Sequence, residues 1–232
     1  MTVHLDHLLV GALADLGPKA VPSGIAKLPV DRPLHLGREG LDGDAQGDRK
    51  HHGGPDKAVH HYPFEHYDAW RRELGATPLL AAPGAFGENL STSGMTEATV
   101  ALGDRFRLGT ALIEVSQGRQ PCWKLNFRHD VPDMALRVQK SGRTGWYYRV
   151  LEEGTVEAGA SFTLVDRRSP DWTLHRLWHT LYVDTLNFDE LAAMAALEHL
   201  PDGWRRYARR RLENRRVESW DSRLQGTPET TA

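Results

Sequence analysis

ALIEVSQGRQPCWKL, residues 111–125, is an apolar run that breaks at a proline and a cysteine. Ala111, Ile113 and Val115 recur at every second position, the period of a strand, so they share one face. Pro121 has no N–H to give to a ladder, so the strand must end before it. Cys122, the only cysteine in the chain, then sits at a strand-to-loop junction, three residues after Arg119. A lone thiol is usually a small buried hydrophobe. Beside a basic side chain it can instead be a reactive thiolate.

Working outward, residues 1–170 are rich in Gly and Pro, with short apolar runs between turn signals. VHLDHLLVGAL, KAVHHY, ALIEVSQ, GWYYRVL and SFTLVDR read as strands, the last with Phe162 and Leu164 on one face. ALGDRFRLG (101–109) reads as a hairpin with Arg105 and Arg107 alternating outward. This density of short strands predicts a mostly β fold, a barrel or sandwich. Helices are expected at 63–74 and 131–142, each with a proline near its start (Pro63, Pro132) and a glycine at its end (Gly75, Gly142). After Ser169-Pro170 the β signals stop, and three helical stretches run to about Trp220. Asp189 and Asp202 come early in theirs, where they complement a helix N-terminus. The expected organisation is a β domain over 1–170, a small three-helix domain over 171–222 and a mobile tail over 223–232.

Composition narrows the setting. The 232 residues carry a formal net charge of −2, which argues against a global polyanion-binding role. One cysteine cannot form an internal disulfide, so a reducing compartment is the default. The N-terminus lacks a basic start and Asp6 interrupts its apolar run, so no signal peptide is read there. No run approaches the roughly 20 apolar residues of a membrane helix. A cytoplasmic protein with no membrane role is expected. Residues 204–216 are strongly basic. Trp204, Tyr207, Ala208 and Leu212 recur at helical spacing and face inward, leaving Arg205, Arg206, Arg209 and Arg210 outward. Inward aromatics cannot stack bases, so nucleic acid is not an expected partner. The outward arginines are either a solvated face or a docking face.

Three stretches could carry chemistry. Residues 43–67 hold five of the twelve histidines and the loop Gly53-Gly54-Pro55. Glycine lets backbone approach a ligand closely, with N–H groups suited to an anion, and His52 and Lys57 add donors. The histidine spacing matches no compact zinc motif. His60 and His61 point to opposite faces of a strand, so at most one can face a site, and His66 reads as helix structure. GAFGENLSTSG (84–94) carries Glu88-Asn89; Asn89 offers a donor and an acceptor, although both residues are also common turn formers. Arg143 lies in a Gly-flanked turn, where its planar fork suits a phosphate or merely meets solvent.

HHGGPDKAVHHY (51–62), PGAFGENL (83–90), SQGRQPCWKL (116–125) and GRTGWYYRVLEEGTVEAG (142–159), in this order, resemble the MOSC domain family. The closest likeness is to its YiiM-like branch, in which three helices follow the barrel, and it covers roughly residues 30–220. Gly118 departs from the family, where proline is usual. The resemblance implies a β-barrel that binds a molybdenum–pyranopterin cofactor, with Cys122 ligating the metal; pyridoxal phosphate is not expected. Coordination would hold the sulfur deprotonated, and Arg119 could counter the cofactor's charge. Gly53, Gly54, Lys57, Glu88, Asn89, Arg119 and Arg143 are the candidate cofactor cradle. The implied activity is reduction of N-hydroxylated compounds such as hydroxylaminopurine base analogues, with His52 and Asp48 as candidate proton donors. An acidic electron-donor protein could then dock at Arg205, Arg206, Arg209 and Arg210. Two other readings stay open: a non-redox carrier of pterin cofactor or sulfur with a persulfide at Cys122, and a zinc hydrolase on the histidine loop.

Overall fold

Residues 2–47 and 53–226 are described by the computed structural model. Asp48 and His52, expected as proton donors, lie outside the described residues, as do 227–232 of the expected tail.

The strand expectation is met by a mixed sheet of nine strands. In spatial order they are Val3–His4, Ser161–Arg167, Asp104–Leu108, Ala111–Gly118, Trp146–Glu152, Val59–Pro63, Leu90–Thr92, His7–Val10 and Leu28–Pro29. All pairs are antiparallel except Val59–Pro63 with Leu90–Thr92. The barrel expectation needs qualification: among the described residues no ladder joins the two end strands, so the sheet is not a closed barrel. The first strand of that order and the next-to-last nonetheless share one stretch of chain. Only Leu5 and Asp6 separate the first strand from His7–Val10. Leu5 N donates to Ala160 O at 2.8 Å on one side, and Asp6 N donates to Ser91 O at 3.0 Å on the other.

Seven helices accompany the sheet among the described residues: α1 (Glu65–Leu74), α2 (Lys124–His129), α3 (Met134–Ser141), α4 (Leu174–Tyr182), α5 (Phe188–Ala195), α6 (Asp202–Asn214) and α7 (Asp221–Leu224). Pro63 ends the strand Val59–Pro63 and does not open α1. Gly75 stops α1 at φ 85° and Gly142 follows α3 at φ 73°, both left-handed positions that suit glycine. Thr173 caps α4 by accepting from Arg176 N, and Asn187 caps α5 by accepting from Glu190 N.

One apolar cluster joins the sheet to α4, α5 and α6: Ile113, Val115 and Trp146 belong to it with Leu177, Leu181, Met194 and Trp204. Short helices form poorly alone, and this shared core supplies the packing they need. A second cluster packs Tyr62, Tyr67, Trp70 and Phe86 against Leu125, Met134 and Val138, locking α1, α2 and α3 beneath the loop that carries Glu88 and Asn89. Tyr62 and Phe86 stack at 4.2 Å between ring centroids. The expected tail begins within α7, which folds back toward α2 and α3. No helix among the described residues is long and apolar enough to cross a membrane.

Candidate functional site

The strand Ala111–Gly118 makes its last ladder pair between Gly118 and Trp146. Arg119 N adds one more bond, to Gly145 O at 2.9 Å, and the chain then leaves the sheet through Gln120 and Pro121. Cys122 lies in that exit just before α2 and is 7% exposed. It forms part of the wall of an open cleft with a volume of about 90 Å³.

Four further walls meet it. His60 comes from the strand Val59–Pro63, and the period of two sends its neighbour His61 into the core. There His61 contacts Tyr148 OH at 3.1 Å and Thr92 Oγ1 at 2.8 Å, and burial drops its pKa to about 3. Burial, then the Arg119 charge, hold His60 well below the ordinary imidazole value, so it is neutral at physiological pH. Asn89 faces the cleft with its side chain fully engaged: Oδ1 accepts from His60 N, and Nδ2 donates to Leu9 O and to Asp44 Oδ2 at 2.9 Å. Asp44 also accepts from Gly11 N and pairs with Lys27, the two side chains being only 5% and 7% exposed. Burial lowers the Lys27 pKa and Asp44 opposes that shift. Lys124 completes the rim, its Nζ bonded to Pro22 O at 3.2 Å. Lys57 ends a short 3₁₀ turn, Pro55–Lys57. That turn is pinned to the sheet by Ser116 and Gln117, which donate to Asp56 O, and by Arg149, which pairs with the Asp56 carboxylate at 2.7 Å.

Close backbone packing shapes the floor. A Cβ on Gly24 would lie 1.9 Å from Ala45 O, and one on Gly47 would lie 2.5 Å from Pro22 O. Only glycine permits these segments to meet.

Lys27, Lys57, Arg119 and Lys124 line the cleft, and among the described residues Asp44 is the one carboxylate that lines it with them. Two buried nitrogens of its lining residues, Arg119 Nη1 and His60 Nε2, have no hydrogen-bond partner among the described residues. Buried polar atoms are nearly always satisfied, so these two nitrogens fit a site that takes a ligand. Among the described residues no group of three or more His, Cys, Asp or Glu is arranged to hold a metal ion. Cys122 is the thiol among the described lining residues, with cationic side chains around it.

The MOSC domain matches residues 48–163, and the YiiM-like 3-alpha helix domain matches residues 172–215. Protein YiiM of Escherichia coli is 43% identical over 213 residues, spanning 90% of this chain and 93% of its own. The chain belongs to the MOSC domain family. The crystal structure of YiiM from Escherichia coli superimposes on this YiiM-like chain with a TM-score of 0.81 at 36% identity, covering 97% of this chain and all of that one (100%). A protein of Gibberella moniliformis named as a reductase is 36% identical over 178 residues, which is 76% of this MOSC chain and 32% of that longer protein.

Of the residues picked out in the sequence, Cys122, Lys57, Asn89 and Arg119 meet in this MOSC cleft. Gly54 lies outside the lining at φ 95°, its carbonyl accepting from Lys57 N at 2.8 Å, so the Gly-rich loop serves the cleft by setting Lys57. Gly53 likewise is not a lining residue. Glu88 is buried beneath the cleft, accepting from Gly84 N, Phe86 N and Tyr67 OH, so its work is to shape the loop. Arg143 is the clear departure from expectation. Its guanidinium lies 3.6 Å from the Trp70 ring centroid and pairs with Glu73 at 2.7 Å, outside the cleft. Lys27, Asp44, His60, Lys124 and Tyr147 line the site without having been singled out for it. GDAQG (43–47) and the HHY alternation carried the available signal for Asp44 and His60.

Proposed function

We propose that this chain is a molybdenum-cofactor-dependent reductase of N-hydroxylated compounds, with Cys122 as the protein ligand to the metal. The observation that carries the reading is the union of one thiol, four cationic side chains and two unpartnered buried nitrogens in one cleft. A cofactor with an anionic phosphate suits Lys57, Lys124 and Arg119 by charge. A group that brings its own donors to the metal needs only one from the protein, and Cys122 is that one. The reductase name of the fungal relative supports the reaction class.

When bound, the cofactor supplies two-electron transfer: R–NHOH, two electrons and two protons give R–NH₂ and water. The chain's own residues would bind and orient. Arg119 Nη1 holds an anionic oxygen, the Asp44–Asn89–His60 network fixes one wall, and His60 lines the cleft as a neutral imidazole. Asp48 and His52 remain the proposed proton donors. Arg205, Arg206, Arg209 and Arg210 are the proposed docking face for an acidic electron-donor protein. Asp202 pairs with Arg206 at 3.2 Å and Arg209 at 2.9 Å, so part of that positive charge is already offset. A cytoplasmic location belongs to the same proposal, since a free thiol persists under reducing conditions.

The test uses protein from a cofactor-competent host, an artificial reductant and a hydroxylaminopurine. Amine formation that disappears in Cys122→Ser supports the reading. No amine from several N-hydroxylated substrates, with molybdenum bound, would contradict it.

A further inference from the structure

The end of the described chain returns to the Cys122 loop. Trp220 anchors this segment on the three-helix unit, its ring 5.1 Å from Tyr182 of α4 and 5.1 Å from Tyr207 of α6, centroid to centroid. Three residues on, Arg223 O accepts from Trp123 N at 2.6 Å. Leu224 O accepts from Asn126 Nδ2 at 2.9 Å, a contact across 98 residues of sequence. Asn126 Oδ1 accepts in turn from Ala135 N at 2.8 Å, so one side chain ties α2 to α7 and to the start of α3. Gly226 lies over the Trp123 ring, where an added Cβ would meet Trp123 Cδ2 at 3.5 Å.

We propose that residues 220–226 are a positioning strap through which the three-helix unit fixes the Cys122 loop. The loop has two ends. The upstream end is held by the Arg119–Gly145 bond, the last rung of the sheet. The downstream end is Trp123 and the six-residue helix α2, too short to be stable on its own. Its first free N–H is the one that Arg223 O accepts, and an N–H at a helix start has no partner within the helix. Without the strap, the residue next to Cys122 loses this hydrogen bond, and the downstream side is held only from Lys124 onward, by the Lys124–Pro22 bond, Leu125 in the second cluster and the Asn126–Ala135 bond. The role of Cys122 as a metal ligand rests on the function proposed above; the strap does not.

The experiment uses cofactor-free protein and the rate at which 5,5′-dithiobis(2-nitrobenzoic acid) modifies the thiol. With one cysteine in the chain, the signal reports Cys122 alone. A chain ending at Glu218 should label roughly tenfold faster or more, because local opening is no longer opposed by the strap's hydrogen bonds. Trp220→Ala should move the rate the same way, and Trp220→Phe should restore slow labelling. Arg223→Ala keeps the carbonyl and should label like the unaltered chain. A merely structural role would lower the melting temperature while leaving labelling unchanged well below it. Equal rates for the full chain, the shortened chain and Trp220→Ala overturn the proposal; if the shortened chain does not fold, Trp220→Ala decides. Molybdenum retention, read separately, distinguishes the two claims: faster labelling with no molybdenum in any protein would sink the cofactor reading and leave the strap standing.

Discussion

Asp44→Asn strikes the ion pair on which one wall of the cleft depends. The substitution keeps the shape but removes the charge that faces Lys27, and it turns one acceptor into a donor opposite other donors. Asp44 accepts from Gly11 N, Lys27 and Asn89 Nδ2, so no rotation of the new amide satisfies all three. Breaking a buried pair by removing one partner costs about 3–5 kcal/mol. Lys27 can limit its share of that cost by losing its proton. From its ordinary value of 10.5 down to pH 7, at roughly 1.4 kcal/mol per unit, the ceiling is about 5 kcal/mol. Burial already lowers the Lys27 pKa in the folded chain, and losing Asp44 lowers it further. The unfolded chain then binds the extra proton, so the variant gains stability as pH rises toward 10.5. Urea unfolding of both proteins from pH 7 to about pH 10 should show a gap of roughly 3–5 kcal/mol at pH 7 that narrows as pH rises. A gap below about 1 kcal/mol at pH 7, or one that stays constant across the range, would refute the reasoning.

Three more expectations follow from other parts of the molecule. Burial holds His61 at about 3 against an ordinary 6.5, so the unfolded chain takes up that proton first and stability falls as pH drops through this window, by up to about 1.4 kcal/mol per unit. His129, held near 4 chiefly by burial, adds to the same trend, and a flat stability profile between pH 7 and about pH 4.5 would count against both. Arg119→Ala should weaken cofactor binding by about 1.5–3 kcal/mol, measured as retention during dialysis, with unchanged retention as the contrary result. Arg143→Ala should leave retention unchanged and cost about 1 kcal/mol of stability, from the lost stack on Trp70 and a partly exposed pair with Glu73. Loss of cofactor in that variant would return Arg143 to the cradle.

The sequence made parts of this legible because local rules govern them. Period-two alternation separated His60 from His61, and proline marked where the Cys122 strand leaves the sheet. Trp204, Tyr207, Ala208 and Leu212 pack on the core side of α6, as their spacing requires, with Tyr207 and Leu212 half-buried. The same helix also buries Arg211 completely, bonded to Leu181 O at 2.9 Å and Glu218 at 2.5 Å, although its residue type argues for solvent. Other features depend on tertiary neighbours. Arg143 looks like a phosphate clamp until Trp70 and Glu73 arrive from α1, a helix about 70 residues earlier. Lys27 belongs to no motif, and Lys124, although it lies in SQGRQPCWKL, carried no signal of its own; they become site residues because glycines let residues 22–25 and 44–47 pack closely at the cleft. The strap at Trp220–Gly226 hides in a polar end segment, where only the bonds to Trp123 and Asn126 reveal it.

Molybdenum ligation by Cys122 is the central claim, and X-ray absorption at the molybdenum edge, with metal content from the same samples, tests it most directly. Protein from a cofactor-competent host should hold close to one molybdenum per chain, and Cys122→Ser, a near-isosteric change, should lose the metal or show one fewer sulfur neighbour around it. A folded Cys122→Ser protein with full molybdenum content and an unchanged sulfur shell would contradict the assignment.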